Sequence, residues 1–230
     1  MELEKVTKGD KRRYDDACGT AHALDLIGER WALLVMRELM LGPKRFGDIR
    51  AGLPGISANV LTQRLEGLEA ANVLTRRRLP PPASAQVYEL TPWGYEAEVI
   101  LQVMGRWAAR SPQHDPTMPL SATSLFLSFR TMLKRDLAQG IDAKIGFRIG
   151  VEDFLAHLHD AEIGVRRGTL DGAEVIFAMP EAPVMAGVVY GGQPIEAMEA
   201  AGLLTVTGDR KLAADFITLF ELPPKAVITA

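Results

Sequence analysis

Leu61, Leu65 and Leu68 recur at intervals of four and three residues, behind a Pro54-Gly55 corner and the hydroxyl of Ser57. That spacing puts three leucines on one stripe of a helix. Ser57 stands where a side-chain oxygen can accept from the open amides of the first turn. Ahead of the corner, Arg45-Phe46-Gly47-Asp48-Ile49 predicts a short helix over 44–52 with Phe46 and Ile49 turned inward. Helix, tight corner, helix is the helix-turn-helix pattern, whose second helix enters the major groove of duplex DNA.

The face opposite the leucines presents Ala58, Asn59, Thr62, Gln63 and Glu66. Asn and Gln pair with adenine, and Thr offers a hydroxyl and a methyl to base edges. Arg64 is placed for a phosphate or a guanine edge. Lys44 and Arg45 at the entry to the first helix, and Arg76, Arg77 and Arg78 beyond the second, complete the expected DNA contacts. Leucines at helical spacing also fill the core of any helical protein, and an arginine run is commonly a solvated strand end.

The flanks extend the pattern. Residues 20–41 are expected as one helix carrying Leu24, Ile27, Trp31, Leu34, Val35 and Leu39, stopped at Gly42-Pro43, since proline cannot continue the hydrogen-bond ladder. Strands are expected over 73–79 and 86–90, joined by a stiff Pro80-Pro81-Pro82-Ala83-Ser84 tip. Together they make the wing of a winged helix. A further helix over about 93–110 carries Val99, Ile100, Val103 and Trp107 on one side, more bulk than a small winged core needs, and so predicts a dimer contact.

Residues 18–108 resemble the HxlR-type winged-helix regulators, relatives of the MarR group. The resemblance rests on Cys18, Ile27-Gly28, Trp31, Leu34, Arg37-Glu38-Leu39, Gly42, Arg45-Phe46, Ile49, Gly55-Ile56-Ser57, Leu61-Thr62, Arg64-Leu65, Leu68-Glu69, Arg76, Tyr88, Leu90-Thr91 and Gly94. It implies a homodimer on a pseudo-palindromic operator in double-stranded DNA, one recognition helix per half-site. Three departures stand out. Gly67 interrupts the recognition helix at a cost of about 1 kcal/mol relative to Ala, Asn72 replaces a helix-ending glycine, and the proline-rich wing tip differs from the family's usual sequence. In relatives a cysteine at the position of Cys18 senses oxidants. That makes Cys18 a redox candidate, against the alternative of a small buried hydrophobe at a helix start, with only the Lys11-Arg12-Arg13 run nearby to lower its pKa.

Charge divides the chain. Residues 1–110 carry 16 Lys and Arg against 14 Asp and Glu, and residues 111–230 carry 10 against 15. A mildly basic half beside an acidic one fits a DNA-contacting module joined to something that avoids DNA. Cys18 is the single cysteine, so no intrachain disulfide forms. No apolar run reaches the ~18–20 residues of a membrane span. The charged N-terminus lacks the apolar stretch of a signal peptide. A cytoplasmic protein without membrane contact is expected.

Four segments follow: an arm over 1–17, the winged-helix and dimerisation domain over 18–110, a proline-rich linker over 111–119, and an α+β domain over 120–230. In the last, helices are expected over 121–138, 151–158, 181–190, 195–201 and 211–220, and strands over 143–149, 162–167, 173–178 and 203–207. Phe147, Phe154, Phe177, Met179, Met185, Val188, Met198 and Phe216 are candidates for an apolar effector pocket, although they would equally fill a core.

Gly191-Gly192, the stretch from Gly202 to Asp209 reading G-x-L-x-V-x-G-D, and Phe216-Ile217-Thr218-Leu219-Phe220 resemble the sterol carrier protein type-two fold over about 122–223. That resemblance implies an apolar tunnel for a lipid-like ligand. His157 and His159, two apart on an expected helix, diverge there, so no metal site is expected. No cofactor motif and no catalytic constellation is visible. The expected class is therefore α+β: a winged helix-turn-helix domain followed by a sterol-carrier-like domain. The expected function is a DNA-binding transcriptional regulator with an apolar effector, and not an enzyme. The alternative is a lipid-carrying or scaffold protein that uses its winged helix only to dimerise.

Overall fold

The computed structural model describes residues 13–81 and 84–227. Two hydrophobic cores organise the chain, one helical and one built on a sheet. The first gathers α1 (Gly19–Ile27), α2 (Ala32–Leu39), α3 (Phe46–Ala51), α4 (Ala58–Ala70), the hairpin of β1 (Leu74–Arg78) and β2 (Gln86–Leu90), α5 (Pro92–Glu96) and α6 (Glu98–Ala109). Val35, Leu39, Ile49, Leu61, Leu65 and Leu68 are its centre. β1 and β2 pair antiparallel with Arg76 opposite Tyr88 and Arg78 opposite Gln86.

The expected helix over 20–41 is two helices. Gly28 closes α1 by donating to the Leu24 carbonyl at 2.9 Å, and a Cβ there would stand 2.4 Å from that oxygen. Trp31 then sits in the left-handed region at φ 79°, its indole packed on the first core, which offsets the strain of a bulky residue at positive φ. The helix expected over 93–110 is likewise divided at Ala97. Asn72, at φ 58°, occupies the left-handed position beyond α4 where a glycine is usual.

The second core lies between a five-stranded sheet and the helices α7 (Ala122–Met132), α8 (Ala182–Val189), α9 (Ile195–Ala200) and α10 (Arg210–Ile217). The strands are β3 (Ala143–Ile149), β4 (Glu152–His159), β5 (Glu162–Arg167), β6 (Val175–Met179) and β7 (Thr205–Gly208), in the order β5-β4-β3-β6-β7. Only β3 and β6 run parallel. One face of the sheet is apolar and covered. The other shows Lys144, Arg148, His157, His159 and Glu162 to solvent.

β4 corrects the helix expected over 151–158. Gly150, at φ 59°, opens a two-residue turn that sends the chain straight back along β3, pairing Ile149 with Glu152 and Phe147 with Phe154. Leu155 is buried on one face while Phe154, Ala156 and Leu158 are buried on the other, which obscures the period-two alternation in the sequence. The helix expected over 121–138 ends at Met132, after which Leu133 is extended and bridges to Phe220.

The two cores meet at α7. Its Leu125, Phe126 and Phe129 belong to the sheet core, whereas Leu127 belongs to the helical one. Arg130 Nη1 bonds Glu98 Oε2 at 2.7 Å, tying α7 to α6. The tail returns as well: Lys225 Nζ donates to the carbonyls of Ala109 and Ser111 at 3.1 and 3.0 Å. The segment 111–119, expected as a linker, is exposed turn between these attachments.

Candidate nucleic-acid interface

α4 is held by one polar and one apolar device. Ser57 Oγ accepts from the Val60 amide at 3.2 Å, closing the N-terminus as its position in the sequence implies. Leu61, Leu65 and Leu68 are buried, which turns Asn59, Thr62, Gln63 and Glu66 outward. Ala58 is half-buried at the first turn. A rigid helix therefore carries short hydrogen-bonding side chains near its N-terminus, the part that reaches base edges in helix-turn-helix complexes.

The basic residues separate into exposed and committed groups. Arg45 is exposed at the start of α3, its amide donating to Asp48 Oδ2 at 3.3 Å. Arg76, Arg77 and Arg78 are exposed along β1. Arg76 reaches Glu69 of α4 at 3.4 Å, Arg77 pairs with Glu89 across the hairpin, and Arg78 donates to the Ser84 carbonyl at 3.4 Å. Such exposed pairs are weak and exchange readily for phosphate. The wing tip at Pro82 and Ala83 lies outside the described residues.

Two expected DNA contacts are engaged within the fold, and the first is buried. Lys44 is 6 % exposed. Its Nζ donates to Glu38 Oε2 at 2.8 Å and to Thr123 Oγ1 at 3.0 Å. A buried ammonium needs a paired carboxylate, and Glu38, itself fully buried, supplies it. Glu38 Oε1 also accepts from Arg37 at 2.9 Å and from Ser121 Oγ at 2.7 Å. Lys44 is thus a bolt between α2 and α7. Arg64 is largely turned inward, with its Nη1 2.8 Å from Glu29 Oε2, fastening α4 to the turn between α1 and α2. Arg50, on the solvent side of α3, is an exposed cation in the motif that the sequence pattern did not single out.

Cys18 is exposed and precedes α1, not buried as the alternative reading had it. Hydrogen bonds from the backbone amides of Thr20 and Ala21 hold its thiol pKa below the ordinary value. Lys11 and Arg12, considered above as a cause, lie outside the described residues.

The candidate effector residues are brought together, but as a packed core. Phe147 stacks on Phe177 at 5.5 Å between ring centroids, and Phe216 lies 5.8 Å from Phe147. Phe126 of α7 approaches Phe154 at 4.7 Å. Met179, Met185 and Val188 are buried around these rings and Met198 is half-buried. Outside that core, the outer side of α6 bears an open apolar surface formed by Val99, Ile100, Val103, Met104 and Trp107. Val103 is 65 % and Trp107 74 % exposed.

Capped recognition helix, hairpin wing and flanking helices define a winged-helix protein of the helix-turn-helix class. The HxlR-like helix-turn-helix family matches residues 26–116. Over 86 residues the chain is 38 % identical to the HTH-type transcriptional regulator YodB of Bacillus subtilis (strain 168), a match covering 37 % of this chain and 77 % of YodB. It is 36 % identical over 86 residues to the uncharacterized HTH-type regulator YvaP of the same organism, covering 37 % and 80 %. The reduced form of YodB is similar in structure at 34 % identity and TM-score 0.39, covering 44 % of this chain and 100 % of that one. The chain belongs to the HxlR-like helix-turn-helix family, whose matched members are transcriptional regulators. Residues 117–230 lie beyond the matched segment. Among the described residues no helix is long and apolar enough to cross a membrane.

Proposed function

We propose that the protein is a homodimeric regulator that reads a pseudo-palindromic operator with one α4 per half-site, while its sheet domain takes an apolar effector. The outward face of Asn59, Thr62 and Gln63 on a capped, leucine-anchored helix carries this reading. A winged helix used only for dimerisation has no need of that face, and the exposed arginines of β1 beside it match a phosphate-contacting wing.

Dimerisation is supported by α6. Val99, Val103 and Trp107 follow at four-residue intervals, with Ile100 and Met104 alongside, and all five are exposed. A contiguous apolar face of this kind marks an association surface. A second copy satisfies it isologously, since a two-fold axis brings the same helix against itself.

The effector role rests on the resemblance of residues 122–223 to the sterol carrier type-two fold, with helices covering the apolar face of a sheet. The Phe rings are closed on one another here, so a ligand enters by parting them. Such movement has a route to DNA, because α7 contributes Phe126 and Phe129 to the ring cluster and contacts Lys44 and Glu38 through Thr123 and Ser121. A ligand that favours one position of α7 thereby favours one setting of the α4 pair.

Selection from a random duplex pool tests the reading. Enrichment of an inverted repeat with half-sites about one helical turn apart is expected. Recovery of unselected sequence alone contradicts it.

A further inference from the structure

The solvent face of the sheet holds a side-chain cluster that the DNA-binding reading leaves unused. Because β4 is a strand, His157 and His159 project from the same face, and their rings stack at 5.4 Å between centroids. Asp142, just before β3, comes up beside them. Its Oδ1 lies 2.7 Å from His157 Nε2 and its Oδ2 lies 3.3 Å from His159 Nδ1. One ligand atom from each of the three residues falls within 4.8 Å of the others.

We propose that Asp142, His157 and His159 bind a divalent transition-metal cation of the zinc type. Two imidazole nitrogens and one carboxylate oxygen form a three-ligand set that leaves a fourth position for water. Ligands at zinc bond lengths of about 2.1 Å in a tetrahedron stand about 3.4 Å apart. The separations of 2.7 and 3.3 Å to the two carboxylate oxygens lie near that spacing, and the three ligand atoms all fall within 4.8 Å of one another. A metal takes the place of the hydrogen bond between His157 and Asp142.

The surroundings fit the same use. Asp160 Oδ2 lies 3.2 Å from His159 Nε2, so it can hold the proton on that nitrogen and leave Nδ1 for the metal, as carboxylates behind ligating histidines do. Asp160 and Ala161 form a two-residue turn with both φ values positive, which fixes the end of β4 where His159 sits. Gly164 is the cross-strand partner of His157 and adds no side chain to that exposed face. Lys144 is the partner of His157 on β3 and Glu162 that of His159 on β5, with Glu162 engaged by Arg135 at 3.1 Å. Nitrogen donors select zinc, nickel or copper over magnesium and calcium, which require oxygen.

The test is calorimetric titration of the metal-stripped full chain with zinc chloride at pH 7.5, beside the double variant His157→Gln/His159→Gln and the single variant Asp142→Asn. One equivalent of zinc per chain is expected, weakened at least tenfold in both variants, with no heat from magnesium chloride. All three positions are exposed, so unchanged circular dichroism and unchanged melting in chelator check that the variants fold. No zinc binding by the natural chain overturns the proposal. Undiminished binding in the double variant overturns it too, by placing the metal elsewhere, at His22 or His114. DNA binding is read separately in chelator, so failure here is distinct from failure of the regulator reading.

Discussion

Lys44 Nζ lies 2.8 Å from Glu38 Oε2 in a region closed to solvent, and the same ammonium reaches Thr123 of α7 at 3.0 Å. A cation that looks like a DNA contact in the sequence is the polar joint between the two cores. Lys44→Met should destabilise the protein by about 3 kcal/mol, because it leaves Glu38 short of its closest cation while Arg37 and Ser121 remain. Urea melts measure the loss. The double variant Lys44→Met/Glu38→Leu should recover part of it, since an uncharged pair leaves no buried carboxylate unpaired. Equal stability of Lys44→Met and the natural chain would show that the bolt carries no load.

The α6 face makes a prediction about assembly. Val103→Glu and Trp107→Glu each place a charge in an apolar surface that is exposed in the single chain, so the fold should survive. Light scattering should show the natural chain as a dimer and each variant as a monomer. Operator affinity should drop by far more than one half-site contact explains, because bivalent engagement is lost.

Cys18 should react as a thiolate at lower pH than a free cysteine. The Thr20 and Ala21 amides favour the charged sulfur, so its folded pKa lies below the ordinary value. The rate of alkylation by iodoacetamide should therefore reach half-maximum at lower pH in the folded chain than in urea. Coincident profiles would remove the electrostatic basis for a thiol switch at the start of α1. A response of operator binding to oxidant that persists in Cys18→Ser would exclude this cysteine as its sensor.

Arg76, Arg77 and Arg78 differ from Asn59 and Gln63 in the kind of contact expected. Replacing the three arginines by alanine should weaken binding to all duplexes alike. It should also flatten the dependence of affinity on salt by up to about one unit of log-log slope for each phosphate contact removed. Fluorescence anisotropy across a salt series reads both effects.

Much of this arrangement is legible in local spacing. Leu61, Leu65 and Leu68 with Ser57 specify α4, its cap and its outward face, because those relations span one to three turns of a single helix. The α6 face is legible for the same reason, and the wing because its two strands are joined by a short turn. Lys44 is not, since its partner Thr123 stands 79 residues away and no local pattern distinguishes a paired buried lysine from a free one. The pairing of Arg64 with Glu29, from the turn after α1, is equally invisible to local spacing. The cluster at His157 and His159 is hidden by one misassigned element. Leu155 is apolar where a half-buried strand would be polar, so β4 reads as a helix, and a helix carries the two histidines apart. Once the Gly150 turn sets the strand, they share a face. Trp31 at positive φ is invisible to periodicity, because the break it makes is a backbone event.

The central claim is that α4 reads DNA sequence. It is tested most directly by anisotropy titration of the selected inverted repeat and a scrambled duplex, with the natural chain and with Asn59→Ala/Gln63→Ala. The natural chain should prefer the repeat, and the double variant should lose about 1–3 kcal/mol of that preference for each lost base contact while its affinity for the scrambled duplex stays nearly unchanged. A preference that survives the double substitution, or a natural chain that binds both duplexes equally, would contradict the claim.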